Sequence, residues 1–141
     1  MNKGVAELDP QLASFAKRGG KLLMYQGWAD QQVAPGSSVE LYKTMLTQSG
    51  DGDWARLYML PGMGHCSGGE GPDSFDKIGV LEQWVEKGKA PEEIVASHRT
   101  AGKVDRRRPL CPYPQVAKYK GSGSIDDAAN FVCVISKTEP Y

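Results

Sequence analysis

Two residues of this chain have the types and the placement to move protons together. Asp30 follows the apolar run Lys21-Leu22-Leu23-Met24-Tyr25 through Gly27-Trp28-Ala29, and His65 follows Leu57-Tyr58-Met59-Leu60 through Pro61-Gly62-Met63-Gly64. A carboxylate and then a histidine, each just past a candidate strand, is the order of the last two members of a serine-hydrolase triad on an α/β sheet. There the imidazole takes a proton near neutral pH, while a buried carboxylate fixes its tautomer and stabilises the imidazolium. The 35 positions between them suit one helix plus one strand. Taken singly, Asp30 reads as a turn or cap residue and His65 as an ordinary loop histidine. Their order after successive strands favours the triad.

The nucleophile is missing from this pattern. A serine elbow needs Gly-x-Ser-x-Gly, because the strained strand-to-helix turn leaves no room for side chains. No serine here has that setting. Ser67, in His65-Cys66-Ser67-Gly68-Gly69, comes nearest but sits two residues from the base and follows no strand of its own. The chain is therefore expected to be the back portion of a catalytic domain, with the serine and most of the oxyanion hole upstream. His65, Cys66, Asp30 and Asp73 could instead supply metal ligands, but no Cys-x-x-Cys or His-x-x-x-His spacing supports zinc, so no metal is expected. His98 reads as a packed or edge-strand histidine. Gly121-Ser122-Gly123-Ser124 reads as a turn, since a phosphate loop would end in Gly-Lys-Ser/Thr before a helix.

Around these residues the pattern predicts a helix over Asp9–Lys17, capped by Asp9 with Pro10 in its first turn. A buried parallel strand is expected over Lys21–Gln26, a loop from Gly27 to Pro35, and a helix opened by Ser37 or Ser38 with Leu41, Tyr42, Met45 and Leu46 at helical spacing. Gly50-Asp51-Gly52-Asp53 breaks it. A strand over Trp54–Leu60 and a glycine-rich loop to Pro72 follow. The helix Phe75–Lys87 should place Ile78, Leu81, Trp84 and Val85 on one face, closed by Gly88. After the turn at Pro91-Glu92-Glu93, Ile94–Arg99 reads as a final strand. The order α-β-α-β-α-β fits an α/β sheet with crossover helices over residues 1–100. Residues 101–141, rich in turn formers, read as an extended tail packed on the same domain.

The 141 residues suffice for one domain with a core, and the 17 basic and 17 acidic residues cancel. Nothing in this balance calls for nucleic acid, and Arg106-Arg107-Arg108 reads as a solvated loop. No apolar stretch nears the roughly 20 residues of a membrane helix. Met1-Asn2-Lys3-Gly4 has no hydrophobic signal region behind it. Of the three cysteines, pairing Cys111 with Cys133 would staple the tail, worth about 3 kcal/mol in the chain-entropy model, and would leave Cys66 free or bonded outside the chain. Three reduced thiols are the alternative.

At Gly27-Trp28-Ala29-Asp30, Gly62-Met63-Gly64-His65-Cys66 and Arg108-Pro109-Leu110-Cys111-Pro112-Tyr113-Pro114 the chain resembles the tannase and feruloyl esterase family. The run Tyr119–Cys133 strengthens the resemblance, which extends from about Gly19 to Cys133. It implies an α/β-hydrolase esterase, with an inserted lid domain, that cleaves esters of phenolic acids from sugars or plant polymers. It further implies Asp30 as triad acid, His65 as general base, Cys66 bridged to an absent cysteine just before the nucleophilic serine, and Cys111–Cys133 as a tail disulfide. Family calcium sites lie in the lid, so no cofactor is assigned to this chain. A bridge between the neighbours of histidine and serine would hold their Cα atoms roughly 4.4–6.8 Å apart and fix two distant loops.

The expected function is thus the Asp–His portion of a secreted or periplasmic serine carboxylic-ester hydrolase acting on feruloyl or galloyl esters. Its partners would be a small aromatic or plant-polymer ester and the N-terminal remainder of the same enzyme, with no nucleic acid and no membrane. Alone it should be inactive and should expose a sheet edge and an apolar face. A non-catalytic esterase-like or partner-binding remnant, and a peptidase of the same fold, are the alternatives.

Overall fold

The structure is a computed structural model that describes residues 9–50 and 52–136. The Met1–Gly4 start and Asp51 of the predicted break lie outside the described residues. At its centre are two parallel strands, β1 (Leu22–Gly27) and β2 (Ala55–Leu60), paired in register from Leu22↔Ala55 to Gly27↔Leu60. The connecting helix, following the short helix α1 (Ala13–Lys17), is α2 (Pro35–Ser49). Adjacent side chains of a strand point to opposite faces. Leu57 and Met59 accordingly join Val39, Tyr42 and Met45 of α2 in one apolar cluster, and Tyr58 and Leu60 join Met63, Ile94, Ala96 and Leu110 in another. Tyr58 is fully buried, and its hydroxyl donates to Pro91 O at 2.6 Å; burial raises its phenol pKa.

The helix starts differ from expectation for local reasons. α1 begins at Ala13 and not near Asp9, because Ser49 of α2 reaches over: its hydroxyl accepts from Leu12 N (2.7 Å) and contacts Pro10 O (3.2 Å). Asp9 instead accepts from Gln11 N. α2 starts at Pro35, whose fixed φ suits the first turn, ahead of Ser37 and Ser38. The third helix, α3 (Lys77–Lys87), starts two residues after Phe75 because Asp76 caps it by accepting from Gly79 N; Gly88 ends it at φ 67°. Of the four residues expected on its inner face, Trp84 is buried, while Ile78 and Val85 are exposed.

The expected last strand exists as β3 (Ile94–Thr100), but it is antiparallel, paired with β4 (Lys103–Leu110). Ala101 and Gly102 both have positive φ (49° and 79°), as a two-residue hairpin turn demands, and so short a link can only return the chain antiparallel. Arg106-Arg107-Arg108 is therefore strand and not loop: Arg106 and Arg108 are half-buried on one side of β4, Arg107 is exposed on the other. Beyond it, β5 (Gln115–Tyr119) and β6 (Phe131–Ile135) form a second antiparallel pair. Residues 101–136 thus carry three strands. They contact the central sheet where Tyr113 N donates to Leu57 O (2.7 Å) and Pro112 bridges Tyr58. Among the described residues β1 has β2 as its one strand neighbour.

Cys111 and Cys133 are disulfide-bonded with Cα atoms 5.5 Å apart, joining the end of β4 to β6. Cys66 is a free, exposed thiol. Thiol titration of the denatured, unreduced chain is expected to find one thiol. Reduction, or Cys111→Ala with Cys133→Ala, should cost about 3 kcal/mol and roughly 10 °C of melting temperature. Three titratable thiols or an unchanged melt would contradict the staple.

Candidate active site

Parallel pairing in register brings the carboxyl ends of β1 and β2 to one level, so the loops carrying Asp30 and His65 leave the sheet side by side. Their backbones touch. Ala29 N donates to Met63 O at 3.0 Å and Trp28 N to Leu60 O at 2.9 Å. This contact requires Gly27, since a Cβ there would overlap the carbonyl oxygen of Met63. Beyond Met63 the loop folds on itself: Gly64 N donates to Gly68 O (2.8 Å), Gly71 N to Gly62 O (3.2 Å), and Gly68 N to the Asp73 carboxylate (2.6 Å). Asp73, considered above as a metal ligand, ties the histidine loop together. Among the described residues no cluster of three or more His, Cys, Asp or Glu could hold a metal ion.

Within this frame His65 Nδ1 lies 2.9 Å from Asp30 Oδ2. The Asp30 side chain is 2 % exposed and the His65 side chain 39 % exposed, so the acid is sheltered and the imidazole opens to the surface. Burying a carboxylate is costly unless its oxygens are satisfied. Here Oδ1 accepts from Gln32 N (2.8 Å) and Val33 N (3.0 Å), and Oδ2 accepts from Gln26 Nε2 (2.6 Å) besides facing the histidine. The Val33 amide bond is the largest cause holding the Asp30 pKa down to about 2; burial opposes it, and the Gln32 amide and His65 add to it. The ring makes one hydrogen bond among the described residues, to Asp30, leaving Nε2 directed elsewhere. Ser67 does not bond it. Cys66, next in the chain, has an exposed side chain and a left-handed φ of 64°.

Gln26 is the site residue that residue patterns do not reveal. It is the fifth residue of β1, and its amide spans Asp30 and Ser38: Ser38 Oγ donates to Gln26 Oε1 at 2.9 Å while Nε2 donates to the acid. A polar residue inside an otherwise apolar strand, four before the acid, was the available signal. The second histidine forms a separate pair. His98 Nδ1 is 2.7 Å from Asp105 Oδ1 across the β3–β4 hairpin, and Thr100 Oγ1 donates to Asp105 Oδ2 (2.6 Å). Both bonds, Thr100 first, lower the Asp105 pKa. This pair is remote in sequence from the Asp30–His65 loops and reads as cross-strand support.

A carboxylate whose folded pKa is depressed adds stability that is complete above its unfolded pKa of about 3.9 and is lost as pH falls through the folded value. For Asp30 the window runs from about pH 4 down to about 2. The melting-temperature difference between the native chain and Asp30→Asn should shrink as pH falls from about 4 to about 2. A difference that does not change with pH would contradict the assigned ionisation.

The family model described as tannase and feruloyl esterase matches residues 4–134. The chain is 46% identical, over 126 residues, to the mono(2-hydroxyethyl) terephthalate hydrolase of Piscinibacter sakaiensis, covering 86% of this chain and 21% of that protein. It is 36% identical to a probable feruloyl esterase of Arthroderma benhamiae, covering 89% of this chain and 25% of that protein. The structure superposes on feruloyl esterase B from Aspergillus oryzae with a TM-score of 0.82 at 29% identity, covering 89% of this chain and 29% of the other. The chain spans between about a fifth and three tenths of the length of these proteins. By that match across nearly its whole length, the chain belongs to the tannase and feruloyl esterase family.

Proposed function

We propose that this chain supplies the acid and the base of a serine carboxylic-ester hydrolase, the nucleophilic serine lying outside it. The observation that carries the reading is the 2.9 Å contact between His65 Nδ1 and a buried, fully hydrogen-bonded Asp30. Asp30 would keep the Nδ1–H tautomer, so that Nε2 is the basic nitrogen. Nε2 would take the proton of the serine hydroxyl as it attacks the ester carbonyl and would return it to the departing alcohol. A second cycle, with water in place of serine, would release the acid. Both steps pass through an imidazolium, which the Asp30 carboxylate stabilises.

The acyl side is proposed to be an aromatic acid, of the feruloyl or galloyl kind. Supporting this, terephthalate in the name of the 46% identical relative is an aromatic acid, and feruloyl esterase names another. Cys66 is proposed to pair with a cysteine beside that serine; its exposed thiol adjoins the base. No cofactor is proposed for this chain; by the family resemblance, any calcium would sit in a lid domain outside it. A secreted or periplasmic setting is supported by the Cys111–Cys133 disulfide, which oxidising compartments favour. No helix of the described residues is long and apolar enough to cross a membrane.

The isolated chain is expected not to hydrolyse methyl ferulate or methyl gallate. In the intact enzyme, His65→Ala and Asp30→Asn should each lower kcat by about 10³-fold or more with folding retained. Turnover by the isolated chain that is abolished by replacing one of its own serines would overturn the missing-nucleophile reading, and intact-enzyme activity indifferent to His65 would favour a non-catalytic role. Gln26→Leu removes one bond to a charged acceptor. It should lower kcat by about 10- to 100-fold at unchanged KM, with Gln26→Asn recovering less than half of the loss because its shorter amide does not reach both Asp30 and Ser38.

A further inference from the structure

A cavity of about 450 Å³ lies between the base of the histidine loop and the strands of residues 101–136. Its volume is within the range of small-molecule sites. Trp28, Met59, Leu110 and Phe131 give it apolar and aromatic walls, and Arg106 and Arg108 bring two guanidinium groups to it. Neither Asp30 nor His65 lines it, which sets it apart from that pair.

The two arginines are in different electrostatic states. Arg106 is neutralised: Nε donates to Asp126 Oδ1 at 2.9 Å, and a terminal nitrogen to Glu70 O at 3.0 Å. Arg108 has no carboxylate partner among the described residues. One terminal nitrogen donates to Arg107 O (3.0 Å), and the guanidinium carbon lies 4.3 Å from the centre of the Phe131 ring. Stacking uses the flat face of the group and leaves its edge, with most of its five N–H donors, for a ligand. Burial, the larger cause, and the Arg106 charge both disfavour its protonated form, while Asp126 opposes them. Glu70 also borders the cavity, exposed and in no ion pair with Arg108.

An apolar, aromatic-walled chamber with one carboxylate-free guanidinium edge selects a ligand with a flat apolar body and a single anionic head. Carboxylate matches that edge in two parallel bonds. We propose that this cavity is a second, non-catalytic binding site for aromatic monocarboxylates, held by Arg108. The ligand class follows from the cavity alone. If the hydrolytic reading holds, the same class is its acid product, and the cavity shares Gly62 and Gly71 with the histidine loop.

The test uses the 141-residue chain at low micromolar concentration with 4-fluorobenzoate and its uncharged counterpart 4-fluorobenzamide, observed by ¹⁹F line broadening. The benzoate should bind at least 10-fold more tightly than the benzamide, and Arg108→Met should abolish that preference. His65→Ala should leave it unchanged, which separates this site from ester hydrolysis whether or not that reading survives. Equal binding of the two probes, or loss of the preference in His65→Ala, overturns the proposal. Should Arg108→Met not fold, photolabelling of the native chain with 4-azidobenzoate decides. Label on the β4, β5 and β6 peptides supports the site, and label confined to the Asp30 and His65 loops, or none, refutes it.

Discussion

A carboxylate without water organises this structure. Asp30 is charged and almost wholly covered, a state that is stable only while every strong acceptor direction is filled. Two of its partners are backbone amides that turn the chain at Gln32 and Val33; a third is a β1 side chain anchored in the first turns of α2; the fourth is His65. The acid therefore ties together a strand, a helix, its own loop and the neighbouring loop. The low pKa is a consequence of that wiring, and so is the fixed orientation of the imidazole. Stability and site geometry draw on the same bonds.

The parallel register is what makes such wiring possible. With Gly27 level with Leu60, the two loops start from the same height, and the bare backbone at Gly27 lets Met63 O approach Ala29 N. Met63 then turns its side chain into the core, almost wholly buried with Tyr58, Leu60 and Ile94. The apolar anchor and the amide bond pull on the same residue from opposite sides. Two residues later His65 emerges at the surface with its position already decided. Glycines on both sides of it absorb the tight turns, and Asp73 holds the far end of the loop.

The sequence was most legible where one local signal sufficed. Two apolar runs bounded by glycine announced β1 and β2, and the residues just beyond them announced the Asp30–His65 pair, because in-register parallel strands deliver their loop residues to one place. Gln26 was marked only as a polar residue in an apolar strand; its role depends on α2 folding back so that Ser38 meets it, which the strand pattern does not encode. The start of α1 moved because Ser49, 37 positions from Leu12, satisfied the amide that Asp9 was expected to serve. Ala101-Gly102 is a weak turn signal beside Asn-Gly or Asp-Gly, so the β3–β4 hairpin stayed hidden, and three arginines on a strand looked like a loop. The family resemblance rests on motifs spread along the whole chain, and it survived these local misreadings because it does not depend on element boundaries.

The two edges of the central pair are used unequally, and this bears on how the dyad can be completed. Two outer carbonyls of β2 are occupied: Ala55 O accepts from the Tyr42 hydroxyl and Leu57 O from Tyr113 N, with Pro112 bridged to Tyr58. The disulfide at Cys111 locks that cover in place from behind. On β1, Leu22 N and Trp28 N donate to carbonyls at the two ends of β2, so by alternation the groups of Leu23, Tyr25 and Gly27 face outward. Extending the sheet by another strand is therefore open at β1 and closed at β2. A nucleophile carried on a strand added beside β1 would therefore enter next to the Asp30 loop, and the exposed imidazole of His65 is the part of the pair open to it.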